Sequence, residues 1–270
     1  MTTVQQIYDY LNIKAPFSLQ ESWDNSGLNA GDPAREVKRI LVALDITDAV
    51  IEEAVKENAD LIVSHHPLIF SALKHVTLNA DDLTGRKVWN LAKAGISAIC
   101  CHTNLDAVEG GVNTVLAQSL ELNDIVQLSQ CGTDQEGRPY GFGRIGTLGQ
   151  KVTLQEFLPL VQRALAPHGL RYVDGGKPVH RVAVGGGACG GFMLDAWKAG
   201  CDTFVTSDLK YNQFLDAKEL GLNLIDAGHF PTENVVLPTL TGWLTEAFPE
   251  LTVLVSAVHG EVFDYHMSGN

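Results

Sequence analysis

Basic residues are scarce in this chain of 270 residues, which contains 19 Lys and Arg against 32 Asp and Glu and has a formal net charge of -13. No basic run stands out in the sequence, whereas a protein that binds nucleic acid usually carries a basic stripe. The composition therefore argues against a nucleic-acid partner. The acidity also argues against an anionic membrane surface as partner and suits a protein that holds cations.

Long apolar runs and cysteines at C-x-x-C spacing are absent as well. No apolar stretch approaches the ~20 residues of a membrane-spanning helix. The first residues, "MTTVQQIYDYLNI", lack the basic start and apolar core of a signal peptide. The five cysteines show no C-x-x-C spacing, which argues against a zinc ribbon and suits a reducing compartment. We therefore expect a cytoplasmic protein with no membrane partner.

Short apolar runs rich in β-branched residues alternate with amphipathic segments. The runs include "RILVAL", "DLIVS", "ISAICC", "RVAVGGG", "DTFVTS" and "LNLIDA". Between such runs, "DAVIEEAVKEN" and "TLQEFLPLVQRAL" place apolar residues at helical spacing. Continuous apolar strands that alternate with helices predict an α/β fold whose sheets are covered by helices.

The order of these segments occurs twice along the chain. "ADLIVSHH" in the first half corresponds to "CDTFVTSD" in the second, and "ISAICCHTNLD" corresponds to "LNLIDAGHFPTE". The Gly-containing stretch "SQCGTDQEGRPYGFGRIG" predicts a connector between the halves. We therefore predict two α/β halves, residues 1–130 and 131–270, with the second a pseudo-repeat of the first.

Imidazoles and carboxylates follow the predicted strands where these end. In chain order they are His65, His66, His102, Asp106, His229 and Glu233. A lone strand-end histidine is more often an ordinary hydrogen-bonded residue, but here the spacing His-x-x-x-acid recurs at the same point of both halves. Nitrogen and oxygen ligands without thiolate suit Zn, Mn, Fe, Co or Ni. One catalytic metal takes roughly three protein ligands, which is fewer than the six candidate residues. Their number suits two divalent ions about 3.5–4 Å apart.

Three further segments leave alternatives open. "GGGACGG" follows a predicted strand, so its glycines either cradle a phosphate or allow close backbone packing. Asp208 and Lys210 in "SDLKY" either face the site or form a surface salt bridge. Trp23 and its polar neighbours either form a structural turn or close over the site. Asp45, just past the first strand of the repeat, is a candidate partner for a ligating histidine.

Six motifs, in chain order, resemble the Nif-three-like dinuclear metal centre family, which includes the type 2 homologues of GTP cyclohydrolase I. They are "WDNSGL", "SHHPLIF", "HTNLD", "GRIGTL", "SDLKY" and "GHFPTE". The resemblance implies two interlinked α/β halves with a two-metal site in the cleft between them, and a toroidal homohexamer. It implies that Glu233 bridges the metals and that His102 is a nearby polar residue. The implied metal ligands are His65, His66, Asp106, His229 and Glu233.

Two functions are consistent with this constellation. The first is a metal-dependent hydrolase that acts on a nucleotide, a phosphoester or a cyclic amide through a metal-bridging water. His102 then transfers the proton, and GTP cyclohydrolase activity is one special case. The alternative is a non-catalytic, metal-holding or metal-delivering hexameric scaffold. The sequence does not separate an enzyme with a small-molecule substrate from such a scaffold.

Overall fold

The computed structural model describes residues 1–134 and 137–266. The helices are α1 (Val4–Lys14), α2 (Asp48–Lys56), α3 (Leu83–Ala94), α4 (Thr103–Ala107), α5 (Val112–Ser119), α6 (Leu154–Leu165), α7 (Met193–Lys198), α8 (Tyr211–Leu220), α9 (His229–Asn234) and α10 (Leu237–Ala247). The strands are β1 (Gly27–Ala30), β2 (Arg39–Ala43), β3 (Leu61–Ser64), β4 (Ser97–Cys100), β5 (Asn123–Thr133), β6 (Pro139–Val152), β7 (Arg171–Val173), β8 (Val179–Val184), β9 (Thr203–Thr206), β10 (Asn223–Asp226) and β11 (Thr252–Val255). Within the described ranges, no helix has the length and apolarity needed to cross a membrane.

The described chain forms two compact units. Unit 1 contains residues 1–105 and 237–260, and unit 2 contains residues 106–236 and 261–266. Residues 237–260, which the predicted boundary placed in the second half, pack in unit 1 because β11 pairs in parallel with β2. The pseudo-repeat over 1–130 and 131–270 stays a prediction, since it rests on sequence order and not on packing.

Unit 1 contains a sheet in the order β1-β4-β3-β2-β11. The strands β11, β2, β3 and β4 are parallel, and β1 joins β4 in the antiparallel direction. All four residues of β3 are buried. Ile62 from this strand packs in one core with Val50 of α2 and Leu91 of α3. The continuous apolar run "DLIVS" is therefore the covered parallel strand that its composition predicts.

Unit 2 contains a sheet in the order β5-β6-β8-β9-β10-β7, in which β8, β9 and β10 are parallel. Neighbouring side chains of a strand point to opposite faces. Val205 accordingly packs in the core that contains Phe157 of α6, whereas Phe204 packs in the core that contains Ala217 of α8. Helices thus cover both faces of the sheet, which confirms the predicted α/β class.

The described residues of the stretch predicted as a connector belong mostly to two long antiparallel strands, so that prediction was wrong. β5 extends to Thr133 and β6 begins at Pro139. The glycines of this stretch are needed for close pairing: a Cβ at Gly141 would lie 2.0 Å from the Ser129 carbonyl oxygen, and Gly143 has φ +64°. In this pair of strands the glycines allow the two backbones to approach closely, and they do not end either strand.

The parallel strands of the two units are followed by comparable elements. In unit 1, β3 and β4 lead to His65 and His102, and α4 starts directly after His102. In unit 2, β10 leads to α9, which starts at His229. The predicted site residues therefore follow the carboxyl ends of parallel strands, where open α/β sheets place their sites.

Candidate metal centre

Three histidines come together at the carboxyl edge of the unit 1 sheet. His65 and His66 directly follow β3, and His102 follows the neighbouring parallel strand β4. Ser64 and Cys100 are paired in register, so the residues that follow them emerge side by side. One ring nitrogen of each histidine lies within 4.8 Å of the others, and the ring centroids are 5.0–5.5 Å apart. His65 is buried, and the other two rings are partly exposed.

The rings of His65 and His66 are oriented through their Nδ1 atoms. His65 Nδ1 donates to the Cys101 carbonyl oxygen at 2.8 Å, and His66 Nδ1 donates to Asp45 Oδ1 at 2.8 Å. Because both acceptors lack a proton to give, Nδ1 carries the ring proton and Nε2 carries the lone pair of the neutral ring. This is the arrangement of metal-ligating histidines, so the pair suits an ion that prefers nitrogen. The contact confirms Asp45 as the partner of a candidate ligand.

His102 is oriented by Asp24, whose side chain is shielded from solvent. Its Nδ1 donates to Asp24 Oδ1 at 2.8 Å, and the same carboxylate accepts hydrogen bonds from the Thr103 backbone N–H and hydroxyl. Burial alone would raise the pKa of Asp24, but the hydrogen bonds from His102 and Thr103 outweigh it and lower the pKa well below its ordinary value. Asp24 thus stays ionised and fixes the ring of His102.

A second group lies in unit 2, where α9 carries His229 and Glu233 one turn apart. His229 Nε2 lies 3.1 Å from Glu233 Oε2, and its Nδ1 lies 2.6 Å from Asp208 Oδ2. Glu233 is buried, and His229 is partly exposed. Asp208 has the left-handed φ of +55°, a conformation that Asp tolerates better than most residues. Of the two interpretations of Asp208, the structure supports a role beside a candidate ligand.

The Gly-rich stretch after β8 makes room for this group. Gly187 has φ +61°, and a Cβ there would lie 2.0 Å from Glu233 Oε1 and 3.1 Å from His229 Nε2. A glycine is therefore required both by the backbone conformation and by the close approach of the α9 side chains. This geometry favours close packing as the reason for "GGGACGG".

Asp106 lies in α4, and buried polar groups fix the chain around it. Its backbone carbonyl accepts a hydrogen bond of 3.0 Å from Asn113 Nδ2. The next two carbonyls, of Ala107 and Val108, accept hydrogen bonds from the fully buried guanidinium of Arg144, at 3.4 and 2.8 Å. Burial lowers the pKa of Arg144, although Glu109 and Asp106 act in the opposite direction.

The structure thus brings together His65, His66 and His102 within unit 1, and His229 with Glu233 within unit 2. The assignment of Asp106, His229 and Glu233 to the same ions as the unit 1 histidines stays a prediction. The sequence interpretation missed the roles of Asp24 and Arg144. Both stand in the quoted motifs "WDNSGL" and "GRIGTL", and a charged side chain between apolar neighbours is the signal that could have singled out Arg144.

Comparisons with known proteins match most of the chain. A model of the family Duf34/NIF3 (NGG1p interacting factor 3) matches residues 2–261. The chain is 38% identical over 236 residues to a Clostridium perfringens protein named GTP cyclohydrolase 1 type 2 homolog, and the match covers 86% of this chain and 88% of that protein.

Two solved structures have the same fold. A hypothetical protein of Staphylococcus aureus matches with a TM-score of 0.90 at 29% identity, over 98% of this chain and 99% of that chain. A Bacillus cereus protein related to NIF3 matches with a TM-score of 0.91 at 24% identity, again over 98% and 99%. At 24% identity, the match to the Bacillus cereus protein supports similarity of fold and nothing more.

Proposed function

The chain belongs to the Duf34/NIF3 family, as its motifs predicted, and from this premise we propose that it is a metal-dependent hydrolase. Its substrate in this proposal is a nucleotide, a phosphoester or a cyclic amide. The name of the Clostridium perfringens relative, GTP cyclohydrolase 1 type 2 homolog, supports a nucleotide among these classes. The proposed ligands of two divalent ions are His65, His66, Asp106, His229 and Glu233.

The observation that carries the proposal is the orientation of the unit 1 histidines. All three rings donate through Nδ1 to a carbonyl or a carboxylate, which assigns the lone pair to Nε2 in each neutral ring. Rings clustered only for packing would not need three such acceptors at 2.8 Å. The His229–Glu233 pair adds a buried carboxylate as an oxygen ligand in unit 2.

The residues around the proposed ligands supply the remaining chemistry. Bound divalent ions would lower the pKa of water at the site and stabilise developing negative charge. His102 exchanges a proton at Nε2, because Asp24 holds its Nδ1–H. Asp45 and Asp208 hold the rings of His66 and His229 in one orientation. The homohexamer, its toroidal arrangement, the cytoplasmic location and the number and identity of the ions stay predictions.

Elemental analysis and turnover measurements test the proposal. The protein is purified at neutral pH, stripped with a chelator and reloaded with Zn, Mn, Fe, Co or Ni. Metal content and hydrolysis of nucleotides, phosphoesters and cyclic amides are compared among wild type, a His65→Ala, Glu233→Ala double variant and a His75→Ala control. His75 is an exposed histidine outside the groups described above.

The proposal predicts close to two ions per chain and turnover in wild type and the control, with both lost in the double variant. Less than one ion per wild-type chain contradicts the metal centre. Full metal content without turnover, together with transfer of the ion to a metal-free acceptor protein, supports the delivery scaffold instead of the hydrolase.

A further inference from the structure

Two large aromatic side chains stand exposed beside His102. Trp23 is 56% exposed and Phe70 is 55% exposed. Their ring centroids are 5.8 Å apart, and they lie 6.0 and 6.3 Å from the ring of His102. Single exposed apolar residues are common and need no explanation. Two adjoining aromatic rings against an imidazole of a candidate site are a local arrangement that does need one.

Hydrogen bonds fix both aromatic residues to the same framework. Asn25 Nδ2 donates to the Ile69 carbonyl oxygen at 2.7 Å, and the Ile69 backbone N–H donates to Asn29 Oδ1 at 3.1 Å. The segment that follows Trp23 is therefore attached to the residue that precedes Phe70. Asp24, next to Trp23, holds His102. The exposed rings are thus held at a defined position relative to His102.

We propose that Trp23 and Phe70 form an aromatic platform that binds a planar heteroaromatic ring of the substrate, such as a nucleobase. This inference rests on the proposed hydrolase function and names a substrate class for it. The face of an indole stacks on any heteroaromatic base, and fixed aromatic side chains do so without the entropy cost of ordering them on binding. Among the substrate classes of the proposed function, the platform selects nucleotides.

The tilt between the rings defines how the ligand lies. The planes meet at 47°, and centroids 5.8 Å apart leave no gap for a third ring, since stacked atoms need about 3.5–4 Å on each side. The ligand ring therefore does not insert between the two rings but stacks on the exposed indole of Trp23, beside Phe70. Trp23 accordingly contributes more to binding than Phe70 does.

Nucleoside binding to the metal-stripped protein tests the platform separately from the metal. Adenosine, uridine and ribose serve as probes, and binding is measured by calorimetry and by ligand-observed NMR. The variants are Trp23→Ala, Trp23→Phe and Phe70→Ala. Trp89→Ala is the matched control, because Trp89 is a 47% exposed indole of the same unit on α3.

We expect adenosine to bind more tightly than uridine, and ribose not to bind, because the larger ring stacks better. Trp23→Ala is expected to weaken adenosine binding about tenfold, whereas Trp23→Phe stays within about threefold since it keeps an aromatic face. Trp89→Ala leaves binding unchanged. No adenosine binding by wild type, or equal binding by wild type and Trp23→Ala, overturns the inference. Retention of binding by Trp23→Phe excludes misfolding as the cause of a loss.

Metal content, measured on the same variants after they are reloaded with a divalent ion, separates the two proposals. A normal ion content with no Trp23-dependent binding refutes the platform and leaves the metal centre intact. Trp23-dependent adenosine binding by a chain that takes up no metal refutes the proposed hydrolase and leaves the platform. Self-association that disappears in Trp23→Ala, without nucleoside binding, identifies the rings as a contact between copies and also overturns the inference.

Discussion

Hydrogen-bond donors surround the Asp24 carboxylate. Besides His102 and Thr103, the Ser26 hydroxyl donates to it at 3.0 Å and the Asn25 backbone N–H at 2.7 Å. A carboxylate can accept all of these bonds, whereas a neutral amide of the same shape must place its NH2 group against other donors. The local chemistry at this residue therefore demands an ionised acid.

The substitution Asp24→Asn is expected to destabilise the fold by about 1–3 kcal/mol, because it leaves buried donors without an acceptor. Urea denaturation at neutral pH measures the change in the free energy of unfolding. Asp216→Asn, at an exposed position of α8, is the matched control and is expected to be neutral. An Asp24→Asn protein as stable as the control would show that the network does not contribute to the free energy of unfolding.

The contrast between Asp45 and Asp24 shows which site residues a sequence can reveal. Asp45 directly follows the predicted strand "RILVAL", so its place near a strand-end histidine follows from topology. Asp24 lies 78 residues before His102 and precedes β1, a strand whose composition gave little signal. The contact between Asp24 and His102 therefore depends on how the intervening chain folds, and the residues next to Asp24 in sequence do not predict it.

At the scale of elements, the loop after β8 and helix α9 depend on each other through Gly187. Gly187→Ala is expected to displace Glu233 and to lower metal affinity about 10–100-fold, the usual effect of disturbing the support of a ligand. The left-handed conformation adds about 1–2 kcal/mol of backbone cost. Metal affinity is measured by competition with a chelating dye, and stability by urea denaturation.

Gly191→Ala is the matched control in the same Gly-rich stretch. Among the described residues, no atom beyond its chain neighbours lies within 4 Å of a Cβ built on Gly191, and its φ lies outside the left-handed region. This variant is expected to bind metal as wild type does. Equal metal affinities for the two alanine variants would contradict the role of Gly187 in placing Glu233.

The start of α3 gives a pH-dependent prediction. Hydrogen bonds from the Gly85 backbone N–H and the Thr77 hydroxyl lower the pKa of Asp82, the N-cap. A group with a lowered folded-state pKa stabilises the fold above its unfolded pKa of about 3.9, and that contribution is lost as the pH falls through the folded pKa. The gap in melting temperature between wild type and Asp82→Ala is therefore expected to narrow from pH 7 to pH 3. Asp81→Ala, at an exposed neighbour, is expected to show no gap at either pH, and a gap that widens in acid would contradict the assignment.

Most elements were predictable from composition and spacing, and the hairpin of β5 and β6 was not. The parallel strands have continuous apolar runs, and "TLQEFLPLVQRAL" forms α6 as predicted, with Phe157 and Val161 in the core. Glycine has two opposite uses, as a breaker in turns and as a small residue in close strand pairs. The two uses can be distinguished only when the partner strand is known. For this reason the glycines of "PYGFGRIG", which lie in β6, were interpreted as turn residues.

At the scale of the whole molecule, metal removal should lower stability. A ligand that binds only the folded chain stabilises it by about 2.7 kcal/mol at 100 times its Kd, which corresponds to about 5–10 °C in Tm for a chain of this size. Calorimetry of the loaded and chelator-treated protein is expected to show that loss, and reloading is expected to reverse it. The double variant His65→Ala, Glu233→Ala is the control and should not respond. The same shift in the double variant would place the responsible ion elsewhere.

The division into compact units is the part of the architecture that the repeat could not reveal. The sequence repeat shows only the order in which segments follow one another along the chain. The sheet of unit 1, however, is completed by β11, a strand far from β2 in sequence. The predicted boundary at residue 130 followed order alone. Pairing between strands distant in sequence assigns residues 237–260 to unit 1.

That late strand has a consequence during translation. Residues 106–236 leave the ribosome before β11 exists, so β2 is an unpaired edge while the nascent chain grows. At about 5–20 residues per second, this edge stays open for roughly ten seconds or longer. An unpaired edge strand can pair with a strand of another chain. A ribosome that slows or stalls before β11 is synthesised therefore exposes the nascent chain to aggregation and to binding by chaperones.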